Sequence, residues 1–105
     1  MKFIGRAIDR VVVIKEKGKG DRMLNPVPSQ RLVNHSPDGF NWGYGGSGPT
    51  QLALAILLEI YGEEFAMHNY HKFKWEVIAE MEQGKDFEID LKKIREWSVG
   101  NQVTI

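Results

Sequence analysis

The chain has 105 residues, 42% of them apolar and 27% charged, no cysteine, and a formal net charge of zero. That size fits one domain, residues 1–105, with a single core; the composition lies outside the disordered range, and the lack of cysteine excludes disulfides, thiolate metal sites and cysteine nucleophiles. The neutral total conceals an asymmetry, because residues 1–50 carry eight Lys/Arg and four Asp/Glu whereas residues 51–105 carry six and ten, so a uniformly basic, nucleic-acid-type surface is not expected.

The segment Met1–Arg6 has no long apolar run behind its charges, and the longest apolar stretch, Leu52–Leu58, is too short to span a bilayer. The expectation is a cytoplasmic protein without a membrane segment. Residues 2–8 and 10–16 read as strands. Val11-Val12-Val13-Ile14 is the stronger of the two, and its unbroken β-branched run suggests burial on both faces. Residues 15–22, with two glycines and six charges, form a solvated loop or hairpin tip. The prolines of Asn25-Pro26-Val27-Pro28-Ser29 read as a break, and Gln30–Asn34 as a third short strand. Ser36-Pro37-Asp38-Gly39 has β-turn chemistry.

From Gly43 the character changes. Four glycines in seven residues, Gly43-Tyr44-Gly45-Gly46-Ser47-Gly48-Pro49, lead into the apolar run Leu52–Tyr61. Pro49 suits a first helical turn, Ser47 or Gly48 an N-cap, and Gly62 a stop, which places a helix over 49–61, apolar nearly all round and hence central. Ala66, Tyr70, Phe73, Val77 and Met81 mark one stripe of a second helix over 63–82. Leu91, Ile94 and Trp97 support a third over 90–98, and residues 102–105 a last strand. Strands first and helices after, without βαβ alternation, predict an α+β fold in which a small antiparallel sheet from the N-terminal half packs on two to three helices.

The glycine segment is the main candidate site. Trp42, Tyr44, Gly45, Gly46, Ser47 and Gly48 precede a helix whose free N–H groups and positive dipole end suit an anion. The alternative is purely structural: glycines that let the chain turn beneath aromatic rings. Gly43-x-Gly45-x-x-Gly48 has the form of a dinucleotide fingerprint but not its context, because no parallel βαβ unit follows, and no Lys-Ser/Thr pair makes it a P-loop.

His35-Ser36-Pro37-Asp38-Gly39-Phe40, Trp42-Gly43-Tyr44-Gly45-Gly46-Ser47-Gly48-Pro49 and Gln51-Leu52-Ala53-Leu54-Ala55 together form a long glycine-and-aromatic signature. With Tyr70-x-x-Phe73-Lys74 downstream, it resembles that of a family of small uncharacterised proteins from bacteria, phages and plasmids. The resemblance spans about residues 35–74 and implies a mobile-element setting. It implies no activity, cofactor or catalytic residue, and the charged segment 15–22 looks longer than the family pattern.

Four further constellations stand beside their plainer readings. His68, His71 and Trp75 lie opposite the apolar stripe, as an exposed partner-binding face or as a solvated helix surface. With Glu64, the two histidines also have metal-ligand character, although the i, i+3 spacing is the less common one and no fourth ligand is visible, so no metal is expected. His35, Asp38 and Ser47 have the residue types of a hydrolytic triad without a nucleophile elbow. Lys15, Lys17, Lys19 and Arg22 form a basic tip that, if it met Trp42 and Tyr44, would hold a nucleic-acid backbone; Glu16 and Asp21 weaken it. The acidic residues of the second half include Glu63 and Glu64, which a helix start explains. The leading expectation is a non-enzymatic accessory protein that binds a protein partner, without a cofactor, with self-association left open. The alternatives are nucleic-acid or nucleotide phosphate binding, or a small enzyme with an anion pocket.

Overall fold

A computed structural model describes residues 1–100. Alternation sets the sheet. In β1 (Lys2–Arg6) Phe3 and Gly5 face inward, and in β2 (Val11–Lys15) Val12 and Ile14 do, while Val11 and Val13 are only half-buried. The valine run is therefore buried on one face and only half-buried on the other, where no described element forms a second layer. The turn at 7–10 takes Ala7, Ile8 and Arg10 out of the expected strands, closing with Arg10 N–H on the Arg6 carbonyl at 2.7 Å. A two-residue β3 (Arg22–Met23) pairs with β2.

The expected strand at Gln30–Asn34 is instead the end of a helix, α1 (Val27–Leu32), and the loop beyond it. Proline in a first turn loses no hydrogen bond, and the Asn25 side chain accepts the Val27 N–H at 3.0 Å. The two prolines mark a helix start and not a break in the chain. Ser36–Gly39 forms its turn, with Gly39 N–H on the Ser36 carbonyl.

The central helix is α2 (Ser47–Tyr61). Every residue from Gly48 to Leu57 is buried, so the helix is enclosed on all sides through its first three turns. Gly46, not Ser47 or Gly48, is its N-cap, and no side chain caps it. Gly62, at φ +90°, ends α2 and starts α3 (Glu63–Phe73). The expected single helix over 63–82 changes pitch after Phe73 into a π-helical turn, Lys74–Ile78, closed by Ala79 N–H on the Lys74 carbonyl at 2.8 Å.

The chain then returns to the sheet. β4 (Phe87–Asp90) pairs antiparallel with β1, so the order is β3-β2-β1-β4 and the N-terminal sheet gains its fourth strand from the C-terminal half. Leu91–Gly100 forms α4. The strand expected at 102–105 lies outside the described residues. The result is an α+β fold: one face of the four-stranded sheet and the helices α2 and α3 enclose a single core, with Phe3, Ile14, Trp42, Leu54 and Phe73 among its largest side chains. No described helix is long and apolar enough to cross a membrane.

Candidate functional site

The site is assembled around one buried amide. Gln51, on the first turns of α2, has no exposed surface. Its Oε1 accepts the backbone N–H groups of His35 (2.7 Å) and Ser36 (3.0 Å), and its Nε2 donates to Ser29 Oγ (2.9 Å) and the Val33 carbonyl (3.1 Å). Four hydrogen bonds thus fix the α1–α2 connection where it carries His35.

His35 then meets the α3 surface. Its Nε2 lies 2.8 Å from the Tyr70 hydroxyl, and its ring is 5.9 Å, edge-on, from that of His71. Burial pushes the Tyr70 phenol above its ordinary value, so it keeps its proton. Burial also lowers both imidazoles below the ordinary histidine value, and nearby positive charge lowers them further: His71 and Lys74 act on His35, and Lys74 acts on His71. The free site therefore holds its histidines neutral.

Lys74 opens the π turn and is only 6% exposed. Its ammonium lies over the Trp75 ring, 3.9 Å from the centroid, and no hydrogen bond or ion pair among the described residues engages it. No fully occluded side-chain polar atom among those residues lacks a partner, so the Lys74 ammonium is not fully occluded. It is a buried stem with a solvent-reaching cationic tip. Trp75 is 56% exposed on its outer side.

The glycine loop lies against this cluster. Gly43 donates its N–H to the Ile78 carbonyl at the end of the π turn (3.0 Å), and a Cβ there would strike the Gln83 backbone. A Cβ on Gly45 would strike the Trp75 ring, so the absence of a side chain lets the indole cover the loop. The N–H groups of Gly45, Gly46, Ser47 and Gly48 donate to no acceptor among the described residues. The start of α2 therefore keeps the free donors of an anion site next to Trp75.

The other sequence-predicted residues fall elsewhere or do other work. Trp42 is buried, donates its Nε1–H to the Lys85 carbonyl (2.7 Å) and meets Phe87 edge-on, so it offers no stacking face. Tyr44 packs its ring over Gly46. His68 is exposed, with Nδ1 2.8 Å from the Glu64 carbonyl oxygen and not from its carboxylate. Among the described residues no three His, Asp or Glu side chains gather to hold a metal. His35 engages Tyr70, and no hydrogen bond or ion pair among the described residues joins its ring to Asp38 or Ser47.

In the basic tip, Lys15 pairs with Asp21, Lys19 with Glu16, and Arg22 with Glu16 and Glu59. Because Glu59 lies in the last turn of α2, the tip is at the far end of that helix from the glycine loop, about 18 Å away along its axis at 1.5 Å per residue. The tip and loop do not converge. Site residues that the sequence reading did not single out are Gln51, Tyr70 and Lys74. Their signal lay in the quoted signature, since His35, Gln51, Tyr70 and Lys74 all belong to its blocks.

The fold is that of a small α+β domain in which His35, Tyr70, His71 and Lys74 gather beside the loop that starts α2, and no carboxylate among the described residues pairs with them. The chain belongs to the family of unknown function DUF6166, whose model matches residues 4–100 and so includes the whole cluster. No curated protein and no solved structure matches it.

Proposed function

We propose that the protein is a binding module for a phosphate-bearing ligand, held where the start of α2 meets the α3–π junction. The observation that carries this reading is the Lys74 ammonium: a cation with no carboxylate partner among the described residues, held over the Trp75 ring that in turn covers Gly45, with its charge felt at His35 and His71. Lys74 supplies fixed positive charge, His35 and His71 gain protons as the anion arrives, and the Ser47 and Gly48 N–H groups donate along the helix dipole. The exposed Trp75 face offers a stacking surface for an aromatic portion of the ligand. The one hydroxyl–imidazole pair in the cluster, Tyr70 with His35, joins a buried phenol that holds its proton more tightly than usual, so the reading is binding without turnover.

Titration with inorganic phosphate and with adenosine monophosphate, followed by calorimetry at low salt, tests it. Lys74→Met is expected to weaken binding by about tenfold or more, as loss of a charge-assisted contact does. Equal binding by wild type and Lys74→Met, or none by either, would end the proposal.

A second reading is favoured by the 56% exposure of Trp75: the indole anchors a protein partner. Trp75→Ala separates the two, since it abolishes partner capture on that reading and leaves inorganic phosphate affinity nearly intact on the first.

A further inference from the structure

We propose that β4 is a docking edge that accepts an extended segment with alternating basic and apolar side chains as a fifth strand. The inference is independent of the anion site and rests on three observations.

The first is the backbone. β4 ends the sheet order, and no strand among the described residues pairs with its other side. Leu91 donates its N–H to the Met1 carbonyl, and with Phe3 opposite Ile89 and Gly5 opposite Phe87 the antiparallel alternation turns those residues toward β1. Glu88 therefore directs both its N–H and its carbonyl outward, and Asp90 directs its N–H outward.

The second is shape. A groove of about 680 Å³ is lined by all four β4 residues, by Val77 and Met81 from the segment after α3, and by Trp97 of α4. Successive strand residues point to opposite faces, so a groove that all four line runs along the strand's edge. Phe87, Ile89, Val77, Met81 and Trp97 give it an apolar floor.

The third is charge. Glu76, Glu80, Glu88, Asp90 and Glu96 rim the groove, against the single cation Lys93. Lys2 reaches Glu88 at 3.5 Å, and Glu76 accepts the Trp97 Nε1–H at 3.1 Å. Asp90 Oδ1 accepts the Lys93 backbone N–H at 2.9 Å, Glu80 and Glu96 are exposed, and the excess of carboxylates selects a basic segment over an acidic one. Main-chain pairing to the edge with alternate side chains in an apolar slot is the β-augmentation mode of peptide recognition.

The test is fluorescence anisotropy with a labelled alternating lysine–valine peptide, beside an alternating glutamate–valine peptide and a block-ordered lysine–valine control. The alternating basic peptide is expected to bind and the other two are not. Glu88→Pro removes an outward N–H that no sheet hydrogen bond uses, so the fold tolerates it, and binding is expected to fall by about tenfold. The double change Glu80→Lys with Glu96→Lys is expected to reduce binding similarly without touching the strand. Unchanged binding in Glu88→Pro, or equal binding of the acidic or block-ordered peptide, overturns the proposal. So does a dimer of the protein that Glu88→Pro abolishes, which would assign the edge to a second copy of the chain.

Discussion

A neutral imidazole pair beside an ammonium has a definite pH signature. His35 and His71 have folded values below the ordinary 6.5. The unfolded chain therefore binds protons more readily than the fold, and the stability these residues allow is present above about pH 6.5 and lost as pH falls through their folded values. Urea unfolding at pH 7.5 and 5.5 is expected to show a lower midpoint at the acid pH, and His35→Gln with His71→Gln to remove most of that difference. Phosphate affinity moves the other way, rising as pH falls, because the bound anion favours the protonated rings. Lys74→Met also carries an expectation for stability. The apolar chain fills the same stem volume, so thermal unfolding is expected to stay level while binding is lost. Gln51→Leu should do the reverse of a silent core swap. It strands the His35 and Ser36 N–H groups and the Val33 carbonyl, at a cost of about 3 kcal/mol or more, measurable by denaturant unfolding.

The π turn explains how two elements come to share one site. A wider turn after Phe73 changes which way Lys74 and Trp75 project, and its last carbonyl, on Ile78, receives the Gly43 N–H. The glycine loop is thus keyed to an irregularity in the helix beside it. Gly43→Ala is expected to destabilise by about 2 kcal/mol or more, because it combines φ +85° with a collision against backbone that cannot yield; a shifted thermal midpoint and altered Trp75 fluorescence would register it. None of this pitch change was legible in the sequence. The stripe Ala66, Tyr70, Phe73, Val77, Met81 fits a continuous helix, and nothing local in Lys74–Ile78 signals a π turn. α2 was legible because its apolar run and its flanking glycines agree. α1 was not, because two prolines mark a break and a first turn equally well. For the site, the glycine loop was visible as composition, whereas the meeting of His35 with Tyr70 and Lys74 depends on tertiary packing and was visible only as blocks of one signature.

At the scale of the molecule, the α+β class followed from the order of strands and helices, but the sheet's closure did not, since residues 87–90 are too short and too charged to announce a strand. That closure joins distant parts: the Ala7 N–H bonds to Asp86 Oδ1 across 79 residues, next to the place where the Phe87 ring lies over Gly5 and against Trp42. Phe87→Ala is expected to cost about 3 kcal/mol or more. Hydrogen exchange should show β1 and β4 losing protection together while the β1–β2 pairing is affected less. The same pairing also orders events at the ribosome. β4 follows the β1–β2 hairpin in the chain with three helices between them, so at about 5–20 residues per second the hairpin waits on the order of ten seconds with one side of β1 unmatched. During synthesis, that unmatched side is where a chaperone or a neighbouring nascent chain finds its opening, and the arrival of Phe87–Asp90 closes it.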